Sequence, residues 1–375
     1  MMEQPIITVI SAVAANLRPR VRGPLLPGLL ALHAAALAQP HGIETRTANQ
    51  SLLISLQDGD PPQSISASGL YWDMESRTVA PGILPYSVSA QLWSDGAYKE
   101  RFIALPGNAQ IGFSANDAWE FPLNTVLVKN FYLEFEAGNA DSREIIETRF
   151  LVLGEKGRWG GFSYKWDNRS EDAVLLEKEE EQAYFVLDPE AEEGVREHLH
   201  FFPNREQCDQ CHVRASGAVL GVNTPQLNSD HSYGGVLDNQ LRTLNHIGLF
   251  TEDISSQLDE LPRMADPFDE SEPLELRARS YLAANCSHCH QPGIVDKADF
   301  DLRFDTALEQ TRTVNRVPTL ASFDLEDPRI IKPGDGTNST VYNRMLATDS
   351  NRMPPVASGV IHWRGADVIR RWIDR

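Results

Sequence analysis

The 375-residue sequence predicts a multidomain α+β chain: an N-terminal all-β, sandwich-like domain followed by two mainly α-helical modules. Three observations predict it. The length asks for more than one domain at the usual 100 to 200 residues each. Residues 66–190 carry short alternating runs rich in aromatic and β-branched side chains, the signature of strands with one buried face. After about residue 195 that alternation fades, and apolar residues recur three and four apart, as in helices with one buried face.

The chain opens with Arg18, Arg20 and Arg22 ahead of an apolar stretch, residues 25–37, that ends in Ala36-Leu37-Ala38. A basic start, an apolar middle and a small-x-small end make a secretory signal peptide, so residues 1–38 are expected to be cleaved. The apolar run of 13 residues is too short to span a membrane, and no run of 18 or more apolar residues occurs elsewhere. Residues 39–65 hold Asp58-Gly59-Asp60-Pro61-Pro62 and no strong period, which reads as a linker.

In the β domain, residues 125–135 (TVLVKNFYLEF) and 144–153 (EIIETRFLVL) flank a hairpin connection, with further strands expected at 159–166 and 183–187. Five of the seven tryptophans fall in this part, where core packing is the leading expectation over a ligand groove. The helical half divides into residues 191–267 and 268–375. Its expected helices lie at 239–250, 274–284 and 365–373.

Against 34 basic residues stand 53 acidic ones, a net charge of -19. Such a surface repels phosphate backbones, which excludes nucleic acid as a natural partner and favours a protein partner that is basic at the contact. The acidic run at residues 177–181 (EKEEE) reads as a solvated face.

All four cysteines fall in two pairs, each followed by histidine: Cys208-Asp209-Gln210-Cys211-His212 and Cys286-Ser287-His288-Cys289-His290. CxxCH is the attachment signature of c-type haem. Two thiols a helical turn apart each add across a haem vinyl group, and the adjoining imidazole becomes the proximal iron ligand, here His212 and His290. Structural zinc fits poorly, because Cys211 and Cys286 stand 75 positions apart and zinc asks for no histidine after each pair. A thioredoxin-like pair lacks its βαβ context, and two plain disulfides remain the other alternative. The two helical modules therefore read as cytochrome c-type.

The last module reads as class I-like: a helix before the motif, a methionine some tens of residues beyond it, and a C-terminal helix. Met353, followed by Pro354 and Pro355, is the expected distal ligand of the second haem, with Met345 as its competitor. For the first haem the expected distal ligand is His246; His231, Met264, His198, His200 and an open sixth position stay as alternatives.

Residues 92–97 (LWSDGA), 126–132 (VLVKNFY), 208–212, 221–228 (GVNTPQLN), 240–250, 285–293 (NCSHCHQPG) and 352–355 together resemble a poorly characterised family of exported dihaem c-type cytochromes of Gram-negative bacteria. The resemblance runs from about residue 66 to the C-terminus. It implies two covalent haem c groups, a periplasmic location, and frequent encoding beside a parallel β-helix repeat protein; it implies no substrate. Three functions follow as expectations. Single-electron transfer to or from a redox partner leads, a dihaem peroxidase-type enzyme with one open haem is second, and an envelope-binding module with redox-reporting haems is third. No catalytic residue is assigned.

Overall fold

The computed structural model describes residues 39–56, 61–212, 217–296, 298–320, 323–356 and 358–375; the expected signal peptide, residues 1–38, lies outside them. Residues 71–202 are dominated by strands. A small ribbon pairs β1 (Tyr71–Asp73) with β2 (Thr78–Val79). The main sheet runs β3 (Leu84–Pro85), β4 (Tyr98–Ala104), β5 (Val126–Glu134), β6 (Arg143–Leu153), β7 (Trp159–Trp166) and β8 (Ala173–Leu175). It is antiparallel throughout, with spatial order following chain order.

Because side chains alternate across a strand, this sheet has two distinct faces. One carries Phe102, Ala104, Val126, Val128, Phe150, Val152 and Tyr164 and buries them under Leu52, Ile54, Ile65 and Leu70. Residues 39–65, expected as a linker, thus supply fully buried core side chains. The other face carries Ile103, Leu127 and Leu151 at one end, and Lys99, Lys129, Arg149 and Phe131 at the other.

The two mainly α-helical modules expected after residue 190 are not there. Strand outweighs helix among the described residues, whose six α-helices are short. Three physical causes explain the difference. First, strand structure continues as β9 (Glu180–Leu187) paired with β10 (Val195–Phe202). The buried side of β10 is His198, His200 and Phe202, so its period of two is hidden from any hydropathy pattern. Second, the helices that follow are one or two turns long: α1 (Arg205–Cys211), α2 (Thr224–Leu227) and, after the hairpin β11 (Asp230–Tyr233) and β12 (Val236–Asn239), α3 (Gln240–His246). Leu227, Leu241, Leu244 and Phe250 pack on Ile103 and Leu127 of the sheet instead of on a helical partner. Third, α4 (Leu274–Cys286), α5 (Thr340–Leu346) and α6 (Trp363–Ile373) are separated by a long Asp-, Gly- and Pro-rich stretch held by turns. A sandwich is also not formed: each sheet face is covered by loops, ribbons or short helices, not by a second sheet.

Residues from Pro40 to Arg375 form one compact unit. Its third core joins Leu274, Ala278, Tyr281 and Leu282 of α4 to Val368, Ile369 and Ile373 of α6. No helix of the described residues is long and apolar enough to cross a membrane.

His198 gives a pH-dependence that the fold dictates. It is 1% exposed, and neither ring nitrogen has a hydrogen-bond partner. Burial, then His200 and Arg196 beside it, lowers its pKa from 6.5 to about 4. The unfolded chain therefore takes up this proton before the folded one does, and stability falls as pH drops from 6.5 towards 4. The expected loss from this group is about 2 kcal/mol between pH 7 and pH 5. Urea unfolding at both pH values should show a smaller pH-dependence in His198→Phe; an unchanged one would refute the assignment.

Candidate functional site

The first CxxCH segment is built on α1. Asn204 caps it by accepting from the Gln207 amide, while the Gln207 side chain accepts from the Asn204 amide. This reciprocal cap fixes a short helix that has little propensity of its own. Cys208 and Cys211, three apart, share one face of it. That face lies on β7, where Gly161 offers no side chain: a Cβ there would stand 2.6 Å from Cys208 Cβ and 2.7 Å from its sulfur. His212 closes the helix, and its Nδ1 donates to the Ala218 carbonyl at 2.7 Å. That bond orients the ring and leaves Nε2 with its lone pair.

These groups line a cavity of about 260 Å³. Its floor is the charged end of the sheet: Lys99, Lys129, Phe131 and Arg149. Glu147 binds Arg149 through both oxygens, at 2.6 and 2.9 Å, and accepts from His200 at 2.8 Å. Burial opposes its ionisation, but Arg149 and then His200 overcome this and hold it at about 2.

The second segment starts at the C-terminus of α4. Cys286 ends the helix, and the amides of Cys289 and His290 both donate to its carbonyl. A cavity of about 180 Å³ is lined by Cys286, Cys289, His290, Met345 and Met353, with largely apolar walls including Ile330, Ile331 and Leu302. Met353 is held by its own amide donating to the Arg344 carbonyl, at 2.9 Å. His290 stacks on Phe300 at 4.4 Å, and its Nδ1 is buried without a hydrogen-bond partner.

Both cavities share His288, Cys289, Pro354 and Pro355 as walls. The arrangement is locked from the sheet side. The Trp93 amide donates to Asn285 at 2.7 Å, its indole donates to the Val360 carbonyl at 2.9 Å, and its ring stacks on His362 at 3.9 Å. Asp95 accepts from the Val360 amide.

The structure therefore brings His290, Met353 and Met345 together, and places His212 with Cys208 and Cys211. It does not bring His246 to His212. His246, at the exposed end of α3, stacks on His41 at 3.6 Å and faces Glu44 at 3.6 Å. Three other claimants also have separate environments. His200 is on Glu147, His231 is on Ser87, and Met264 packs on Ala90 and Ala283. Of the tryptophans, Trp119 and Trp166 are core residues, whereas Trp72 is 78% exposed.

The residues present leave each CxxCH segment room for a group held through its two cysteines. None of the four thiols is in a disulfide. Cys208 and Cys211 line the first cavity, Cys286 the second and Cys289 both, and among the described residues no three His, Cys, Asp or Glu side chains gather as a metal site. Burial raises all four thiol pKa values, that of Cys286 to about 12, which favours the protonated thiol over the thiolate. Burial likewise lowers His212 and His290 to about 4, which keeps both imidazoles neutral and able to ligate.

Sequence reasoning missed Gly161, Asn285, Trp93 and the cations of the cavity floor. A detectable signal existed for one: Lys129 interrupts an otherwise apolar face of the expected strand at residues 125–135. Neither a family model, nor a curated protein, nor a solved structure matches this chain.

Proposed function

We propose that this chain is a dihaem c-type cytochrome that passes single electrons to and from a redox partner protein. The observation that carries the reading is the pair of CxxCH segments, with every cysteine of the chain facing one of two adjoining cavities. Cys208 and Cys211 would hold one group and Cys286 and Cys289 the other, each through a thioether bond. Haem c so held supplies one-electron exchange at its iron.

The chain's own residues divide the remaining work. His212 and His290 offer neutral imidazoles, the first aimed by the Ala218 carbonyl. Met353 lines the same cavity as His290 and would offer a thioether, and a His/Met pair favours a high potential. The apolar walls of the second cavity exclude water from that centre. Cys289, His288 and the two prolines line both cavities, so these residues would hold the two groups as neighbours. The net charge of -19 suits a partner that is basic at the contact. The leader expected at residues 1–38 makes the periplasm the proposed location, and a parallel β-helix repeat protein is a proposed neighbour through the resemblance alone.

A second reading, a dihaem peroxidase-type enzyme, draws on one observation. A third cavity, of about 430 Å³, meets the first at Lys129, Leu220 and His288, and would admit a small substrate.

Haem quantitation and low-temperature EPR on periplasmically matured protein test both. Two haems per chain with two low-spin irons are expected; a stable high-spin iron with peroxide turnover would favour the enzyme. Fewer than two haems in the wild type would overturn the dihaem assignment. Met353→Ala is expected to keep both haems while one of the two irons turns high-spin. An unchanged spectrum would remove Met353 as a ligand.

A further inference from the structure

We propose that Lys99 and Lys129, with Arg101 beside them on the wall of the adjoining cavity, form a carboxylate-binding row that takes the two propionates of the haem attached at Cys208 and Cys211. The proposal rests on the dihaem reading and adds the orientation of the group within the first cavity.

The row is costly to the protein on its own. Lys99 and Arg101 are each 6% exposed, and Lys129 is accessible only partly, along the cavities it lines. Cross-strand pairing sets Arg101 opposite Lys129, and Lys129 opposite Arg149; like charges directly opposite repel. The carboxylate on this end of the sheet, Glu147, is already spent on Arg149 and His200. Lys99 donates to the Ala97 carbonyl, and Arg101 reaches only the Lys99 carbonyl at 3.4 Å. Among the described residues, none of the three cations has a carboxylate within ion-pair distance. Burial, and then the neighbouring cations, pulls Lys129 down to about 7 and Lys99 well below its ordinary value. Unpaired buried charge costs several kcal/mol per ion, which an anion in the cavity removes.

The register says which anion fits. Cys208 sits over Gly161 on β7, and Lys99 and Arg101 are on β4, with β6 and β5 between. Three strand spacings make roughly 14 Å, so the thiols and Lys99 hold opposite ends of the first cavity's floor, with Lys129 between them on β5 and Arg101 on the wall of the adjoining cavity. A tetrapyrrole has the same polarity, with vinyl groups on one side and propionates on the other. A free carboxylate or phosphate from solvent shares the chemistry but not the tether.

Redox titration and intact mass of the matured protein test this, comparing wild type with Lys129→Met, Lys129→Arg and the surface control Lys332→Met. Loss of a positive charge beside the iron destabilises the reduced form. Lys129→Met is therefore expected to keep two haems and lower one potential by about 59 mV, tenfold in the reduction equilibrium. Lys129→Arg should restore it, and Lys332→Met should move neither. Two haems with unchanged potentials in Lys129→Met would overturn the proposal. So would a wild-type potential that moves with added phosphate, which assigns the row to a free anion. A high-spin iron in Lys129→Met, reversed by imidazole, would also overturn it by making Lys129 an iron ligand. A wild type without haem would instead sink the dihaem reading itself.

Discussion

Gly161→Val is expected to abolish attachment at Cys208 and Cys211 while sparing Cys286 and Cys289, so that the matured chain carries one haem instead of two. Valine favours strands, and the Gly161 backbone is not in the left-handed region, so the strand itself tolerates the change. The obstacle is contact: even a Cβ at this position falls 2.6 Å from Cys208 Cβ, and α1 must lift from the sheet. Overpacking of this kind costs about 1 to 3 kcal/mol, and the lift moves both thiols from the cavity edge. Gly160→Ala is the control. Its Cβ meets only the end of the flexible Arg205 side chain, at 3.0 Å, so two haems are expected. Intact mass reads the outcome directly, and two haems in Gly161→Val would show that α1 does not need this contact.

Gly365→Ala is expected to destabilise the chain by about 1 to 3 kcal/mol, although alanine in a helix ordinarily stabilises by about 1 kcal/mol over glycine. The inverted sign comes from Tyr281. A Cβ at Gly365 would lie 2.4 to 2.5 Å from its ring edge and hydroxyl. That ring is wedged between α4 and α6, with its hydroxyl 3.0 Å from His362 Nδ1. An aromatic ring cannot swing away as a lysine would, so α6 must separate from α4, and the second motif at the end of α4 loses its support. Denaturant unfolding should give the sign. In a Tyr281→Leu background the cost of Gly365→Ala should shrink or reverse, and full additivity of the two changes would refute the wedge.

Much of the β half is visible in the residue pattern. The strands expected at residues 125–135, 144–153 and 159–166 are seen as β5, β6 and β7 within a residue or so. One-sided burial imposes alternation there, and hydropathy reports it. The α4 and α6 segments are visible for the same reason at the helical period. The architecture beyond residue 190 was misread because the stabilising contacts are non-local. The buried face of β10 is histidine, and the apolar residues around α3 serve the sheet, not a neighbouring helix. A cap and a glycine on another strand support α1, which local periodicity cannot show.

The same division runs through the candidate site. Cys208, Cys211, His212, Cys286, Cys289 and His290 stand out in sequence because the proposed thioether attachment and proximal ligation would demand a fixed spacing within five residues. Met353 was legible as a Met-Pro-Pro loop. His246 had only its residue type in its favour, and its ring lies against His41 and Glu44 instead.

By itself, then, the sequence determined the two CxxCH segments on which the proposed covalent chemistry rests, since these are residues adjacent in the chain. Only the tertiary structure decided that the two cavities share a wall, that the floor of the first is a row of cations, and that Gly161 makes room for Cys208. Those depend on strand register and on contacts between residues far apart in sequence, such as Asp95 with Val360, 265 positions apart. Such distances in sequence leave no periodic trace, because folding sets them through burial of whole faces and not through local spacing.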